Sequence, residues 1–228
     1  AVLEEIHRSG CNGGACHAQM YTMGTLLRHG TPAQKEAYLP KVATGELRLQ
    51  AFGVTEPDAG TDTTRITTFA KKVGDKYVVN GRKLWISRAE HSDLMVLLCR
   101  TSPRDEGKTS AGMSVLLVDM RTAVGAGLTI TPVRTMLNHA TTELLFEDLE
   151  VPAANLIGEE GRGFKYILDG MNAERILIAA ECIGDAKFFI DRAGQYARDR
   201  VVFGRPIGEN QGVQFPLARA YVQMTSAS

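Results

Sequence analysis

The spacing of hydrophobic positions changes twice along the 228 residues of the chain. Residues 1 to about 48 read as helices. Thr31-Pro32-Ala33-Gln34 predicts a helix start, with Thr as N-cap, Pro at the first helical position and Gln at the third. The helix that follows carries Tyr38, Leu39 and Val42 towards a core. From residue 50 to about 148 the apolar residues come in strand-sized runs: Leu94–Arg100, Met113–Met120, Leu128–Val133 and Thr141–Phe146. Between Ile66 and Ser87 lie two turn signals, Gly74-Asp75 and Asn80-Gly81, and Asn-Gly between β-rich runs is the strongest short hairpin cue. From residue 161 to about 199 Phe164, Ile167, Leu168, Met171, Ile178, Ile183 and Phe188 recur near the 3.6-residue period. They predict one unusually long helix, and a further helix is expected from about Asn210.

No long helical segment interrupts the strand runs, so an antiparallel sheet or barrel is expected rather than a doubly wound parallel sheet. The fold class is therefore α+β and multidomain. A helical part spans 1–49, a central antiparallel, barrel-like β-domain spans 50–155, and a helical part spans 156–228. The chain starts without Met inside a helix-like pattern and stops just after the apolar stretch of Phe215, Ala218, Tyr221 and Val222. A piece of a longer enzyme, cut at both ends, is expected.

Charge narrows the functional classes. Lys plus Arg and Asp plus Glu both number 26, so the basic excess of a nucleic-acid binder is missing. No apolar run approaches the roughly 20 residues of a membrane span, and no signal-peptide pattern is visible. Cys11, Cys16, Cys99 and Cys182 form no C-x-x-C pair and have no His at zinc-ligand spacing. Free thiols in a reducing compartment, and no metal, are expected.

Two segments carry candidate chemistry. Phe52 to Thr61 (FGVTEPDAGT) leaves a strand and enters a Gly- and Pro-rich turn. Such a turn exposes backbone N–H groups and a hydroxyl, suited to a pyrophosphate or the polar edge of a flavin, and Gly60 permits close backbone approach. A plain tight turn would read the same. Trp85, the one tryptophan, ends a strand and is followed by Ile86 and Ser87. A large ring beside a hydroxyl suits one face and one edge of an isoalloxazine, although a lone Trp is more often a core residue. The glycines of GEEGRG (158–163) do not form G-x-G-x-x-G after a strand, which argues against a Rossmann site. His139 reads as a structural or exposed loop residue.

FGVTEPDAGTD, WIS about 25 residues on, FEDLEVPAANLIGEEGRGF at 146–164 and RDRVVFGRPIGENQ at 198–211 together resemble the acyl-CoA dehydrogenase family, in its order and spacing. The resemblance implies FAD, an acyl-CoA substrate, an electron-transfer flavoprotein as electron acceptor, and a homotetramer built as a dimer of dimers. It implies a bacterial cytoplasm or a mitochondrial matrix, and a role in fatty acid β-oxidation. Phe52, Val54 and Thr55 match positions that contact the flavin ring. Trp85 and Ser87, flanking Ile86, match the Trp stacked near the flavin and the hydroxyl near N5. Thr61, where the family usually has Ser, matches a contact to the FAD pyrophosphate or the CoA chain. Arg200, Phe203, Asn210 and Gln211 match positions reaching the FAD of a neighbouring subunit, and Arg suits a pyrophosphate because its fork donates two parallel hydrogen bonds. Val202 departs from relatives that carry Thr.

The family reaction removes an α-proton from the thioester while the β-hydrogen leaves as hydride to flavin N5. Most relatives place the base beyond the point where this chain stops. A minority, resembling isovaleryl-CoA and long-chain acyl-CoA dehydrogenases, place it on the long helix immediately before an Arg. Met171-Asn172-Ala173-Glu174-Arg175 matches that minority and makes Glu174 the candidate base. Ile167, Met171 and Ile178 share its helical face, an apolar setting in which burial would raise a carboxylate pKa. A Glu paired with Arg175 or a neighbouring helix is the structural alternative. Asn172 and Arg175, three residues apart, match acyl-CoA contacts. An acyl-CoA oxidase or other flavin oxidase of the same fold, and a non-catalytic flavin- or CoA-binding fragment, remain open.

Overall fold

The computed structural model describes residues 1–137 and 140–228. His139 lies outside the described residues. In chain order the elements are α1 (Val2–Arg8), α2 (Gly14–His29), α3 (Pro32–Ala43), β1 (Leu49–Gly53), β2 (Phe69–Val73), β3 (Lys76–Ser87), β4 (Leu94–Arg100), β5 (Met113–Asp119), α4 (Met120–Ala123), β6 (Leu128–Pro132), β7 (Thr141–Pro152), β8 (Leu156–Ile157), α5 (Gly163–Asp199), β9 (Val201–Val202), β10 (Arg205–Pro206) and α6 (Gln211–Ala227). The chain divides into two compact units, Ala18–Glu174 and Ala1–His17 with Arg175–Ser228.

The larger unit is built on a sheet of order β6-β7-β3-β2-β4-β5-β8, with β1 added alongside β4. β1 runs parallel to β4, and β2 meets β4 in a parallel pairing. The expected antiparallel, barrel-like domain is thereby corrected to a mixed sheet that does not close. The cause lies in the chain path. The hairpin β2–β3 intervenes between β1 and β4 and lets the chain return in the direction it first took.

β4 sits where both sheet faces are covered, which is why its sequence is a continuous apolar run instead of an alternation. Met95, Leu97 and Cys99 join Tyr77, Val79, Leu144 and Phe146 in one core cluster. Leu94, Val96 and Leu98 join a second, which includes Leu26, Val42 and Ile167 from α2, α3 and α5. The start of α3 is held by the predicted capping box, Gln34 N to Thr31 Oγ1 at 3.1 Å and Thr31 N to Gln34 Oε1 at 3.0 Å. Gln34 Nε2 also donates to the carbonyls of Ala154 and Leu156, tying the cap to the entry of β8.

Gly74-Asp75 forms the turn between β2 and β3, as expected. Asn80-Gly81 does not turn the chain. It lies inside β3, opposite a bulge in β7: between the Val79–Leu149 and Gly81–Phe146 pairs Asn80 faces two β7 residues, Glu147 and Asp148, and Asp148 takes φ +49°. Gly81 adopts φ +146°, and a Cβ there would lie 2.6 Å from the Thr68 Cα. Asn80 uses its amide on the neighbouring strand instead, exchanging two 2.9 Å hydrogen bonds with Asp148.

In the smaller unit α1 lies against α5. At Gly184 the helices approach so closely that a Cβ would fall 2.3 Å from the Glu4 carbonyl. Around that crossing Lys187 pairs with Glu4, His7 Nδ1 with Asp185 at 2.9 Å, and His17 Nδ1 with Glu181 at 2.7 Å. α5 continues unbroken for 37 residues, as its periodicity predicts. β9 and β10 form a short hairpin before α6, whose Phe215, Tyr221 and Val222 are exposed.

Candidate active site

The site begins where β1 ends. Beyond Gly53 the chain leaves the β1–β4 pairing, and Val54 to Thr55 turns towards β3. There Leu84 N donates to the Thr55 carbonyl at 2.9 Å, and the register of β3 against β7 shifts between Lys83 and Ile86. This second bulge re-aims Trp85. The residue takes φ +62°, a left-handed conformation costly for a non-glycine residue, and its side chain is 57% exposed. The core-tryptophan reading is therefore set aside. A strained backbone that holds the largest aromatic ring out of the core is typical of a binding surface.

The two segments meet, but their side chains divide. Val54 and Ile86 are buried in the core, and their backbone is engaged as well: Val54 N donates to the Phe52 carbonyl, and the Ile86 carbonyl accepts from Thr142 Oγ1 at 2.8 Å. Thr55 and Ser87 are half-buried and Trp85 is exposed. Phe52, half-buried, rests edge-on against Tyr21 of α2, with ring centroids 5.2 Å apart. Gly60 and Thr61 lie on an exposed loop, where Asp62 Oδ1 accepts from Thr64 N and Oγ1 and caps the short 3₁₀ turn that follows. This set offers one aromatic face, two hydroxyls and exposed backbone. That is the chemistry of a planar, apolar ring system with a hydrogen-bonding edge.

Asn172 and Glu174 sit on α5 within the same unit, Asn172 exposed and Glu174 half-buried. The Tyr21 hydroxyl is pushed up to about 12, mainly by burial, and the Glu174 charge adds to the shift. Tyr21 is a neighbour of the candidate base that the sequence did not reveal. The apolar stripe expected around Glu174 is only partly present: Ile167 is buried and Met171 half-buried, but Ile178 is 44% exposed.

Arg175, Arg200, Phe203, Asn210 and Gln211 belong to the smaller unit. Phe203 stands at the tip of the β9–β10 hairpin with φ +52° and a fully exposed ring. Asn210 accepts from Arg205 through its side-chain oxygen at 3.2 Å and precedes α6.

Beneath the first segment lies a pair that sequence reading passed over. Lys83 is fully buried and donates to the Val54 carbonyl at 2.9 Å and to Glu56 Oε1 at 2.8 Å. Burial alone would raise the Glu56 pKa. The adjacent ammonium and hydrogen bonds from Lys83, Thr68 and Thr67 outweigh it and hold the carboxyl below its ordinary range. Burial draws the Lys83 ammonium below its ordinary value, against the attraction of Glu56.

Among the described residues no group of three or more His, Cys, Asp or Glu is arranged to hold a metal ion, and no helix is long and apolar enough to cross a membrane.

A mixed sheet with helices packed on it, and an exposed aromatic with two hydroxyls where β1 meets β3, defines an α+β protein with a candidate binding surface. Family models for the N-terminal, middle and C-terminal domains of acyl-CoA dehydrogenase match residues 1–46, 51–149 and 161–228. The chain belongs to the acyl-CoA dehydrogenase family. It is 37% identical to a cyclohex-1-ene-1-carbonyl-CoA dehydrogenase of Syntrophus aciditrophicus over 99% of its length and 54% of that protein. It is 38% identical to an acyl-CoA dehydrogenase of Bacillus subtilis over 95% of its length and 57% of that protein. Its structure matches an acyl-CoA dehydrogenase of Geobacillus kaustophilus with TM-score 0.90 at 35% identity, covering 98% of this chain and 59% of the other. The chain thus spans between half and three fifths of the length of these relatives.

Proposed function

We propose that the chain carries the flavin and substrate site of an FAD-dependent acyl-CoA dehydrogenase, which converts an acyl-CoA thioester to the trans-enoyl-CoA. The observation that carries this reading is the junction of Val54–Thr55 with β3, where Leu84 N bonds the Thr55 carbonyl immediately before an exposed Trp85 at positive φ, with Ser87 two residues further on. These residues suit FAD, which when bound supplies the acceptor for the β-hydrogen. Trp85 and Phe52 would hold it by aromatic and apolar contact, and the hydroxyls of Ser87 and Thr55 would donate hydrogen bonds to it. Gly60 lets the backbone come close to the ligand. Thr61, Asn172 and Arg175 hold the CoA portion.

Glu174 acts as the base and takes the α-proton onto its carboxylate. A positioned carboxylate contributes about 10²–10⁴-fold to such a step. Arg200, Phe203, Asn210 and Gln211 extend towards the FAD of a neighbouring subunit, so the site is complete in a homo-oligomer, a dimer of dimers. An electron-transfer flavoprotein would be the electron-accepting partner. The working compartment is a bacterial cytoplasm or a mitochondrial matrix.

Anaerobic addition of a series of acyl-CoA thioesters is expected to bleach the flavin absorbance. Absence of bleaching at every chain length and branching pattern would overturn the proposal. Glu174→Gln should keep flavin bound and lose at least about a hundredfold in turnover; full activity would remove the base assignment alone. Hydrogen peroxide formed in step with turnover in air would place the protein with the oxidases.

A further inference from the structure

We propose that the buried ion pair Lys83–Glu56 is the positioning element of this site, holding the first flavin-contact segment in register with the strand that presents Trp85. The inference rests on the flavin reading for its consequence, though not for its geometry. Lys83 is inaccessible to solvent and Glu56 nearly so. A lone buried charge is strongly unfavourable, and a pair is tolerated where further hydrogen bonds satisfy it.

Here three of those four bonds involve backbone groups, at Val54, Thr67 and Thr68, and the fourth comes from the Thr67 hydroxyl. The Lys83 ammonium donates to the Val54 carbonyl, two residues from Phe52. Glu56 Oε2 accepts from Thr67 N at 2.6 Å and Thr67 Oγ1 at 2.9 Å, and Oε1 accepts from Thr68 N at 3.0 Å as well as from Lys83. The pair thus joins the end of β1, the entry to β2 and the bulged part of β3, two residues before Trp85. The adjoining bond from Leu84 N to the Thr55 carbonyl, which neither charged side chain makes, is the one that joins the two segments directly. Lys83 and Glu56 touch neither the ligand face nor the reacting atoms, so their role is positional.

The test is the double variant Lys83→Met with Glu56→Leu, which removes both charges at similar volume. Replacing a buried ion pair by apolar residues often leaves global stability unchanged or raised, so the melting temperature should hold within a few degrees. Amide hydrogen exchange of the protein without added cofactor should then speed up at least tenfold at Thr67 and Thr68, and also at Leu84. FAD affinity should fall at least tenfold, with KM for acyl-CoA changed less than turnover. Leu84 exchange as slow as in the parent overturns the proposal, because the charges would then not fix the junction. Should the parent bind no FAD at all, the flavin reading fails, and Leu84 exchange alone still decides the positioning. If the double variant does not fold, Lys83→Met alone in the FAD-loaded protein provides the comparison. Unchanged flavin absorbance and affinity there overturn the proposal, and a tenfold loss sustains it.

Discussion

Gly81 offers a sharp test of the fold, because its backbone angle and its surroundings can be separated. Its φ of +146° is one that side chains rarely adopt, and a Cβ there would meet Thr68 Cα at 2.6 Å, Oγ1 at 2.6 Å and Cβ at 2.8 Å. Gly74, at φ +61° in the β2–β3 turn, would place a Cβ in open space. Gly74→Ala should therefore show conformational strain alone, about 1–2 kcal/mol, less the roughly 0.4–1 kcal/mol gained by restricting the unfolded chain. Gly81→Ala adds a clash with main chain. Carbon atoms prefer about 3.5–4 Å, so β3 must part from Thr68 by roughly 1 Å, and forced overpacking costs about 1–3 kcal/mol. Thr68 cannot yield freely: its N–H is bound to Glu56 and its carbonyl accepts from Arg100 N at 2.8 Å. We expect Gly81→Ala to lose about 1–3 kcal/mol more than Gly74→Ala. That is a sizeable share of the roughly 5–15 kcal/mol total of a folded domain. Urea unfolding of the two variants and the parent, with m-values compared, measures it. Equal losses would refute the close contact of Gly81 with Thr68.

Other expectations follow from the same geometry. Trp85→Gly relieves a left-handed non-glycine backbone, so stability should hold or rise by up to about 1 kcal/mol, while FAD affinity drops; a clear loss of stability would mean the ring is a packing residue. The depressed Glu56 carboxyl contributes stability above its unfolded value of about 4.5, lost as pH falls through its lower folded value because the unfolded chain takes up the proton first. Unfolding free energy followed from pH 7 to pH 3 should therefore fall less steeply in the Lys83→Met, Glu56→Leu variant than in the parent. Cys99, fully buried with its thiol pushed up to about 12 mainly by burial, should react with a thiol reagent only on unfolding, while the exposed Cys11 and Cys182 react in the native state.

The long helices and most strands are legible in the sequence because their hydrophobic periods are strong. α5 and β4 were set by pattern alone. Asn80-Gly81 shows where that approach fails. The dipeptide that favours a hairpin turn also suits a strand at a close approach, where Gly81 takes φ +146° opposite a bulge in β7, and only the pairing of β3 with β7 on both sides decides between them. Strand direction is likewise a property of the path between strands, so local composition could not reveal that β1 runs parallel to β4.

The candidate site was legible through its motifs, but its support was not. Lys83 and Glu56 are ordinary surface residue types, and a lysine in a strand normally faces water. The signal was present in the register of β3, where Tyr77 and Val79 are buried at two-residue spacing and Lys83 continues that inward series across the bulge. A lysine on an inward row requires a buried carboxylate, and the nearest acidic residue within the site motif is Glu56. That pairing also accounts for a glutamate in a turn that would otherwise expose it. The turn gives up a solvated carboxylate for four hydrogen bonds that fix its own backbone. On the proposed positioning role of the pair, the candidate site needs few side chains of its own, since the backbone that carries Thr55 and Trp85 is held from beneath.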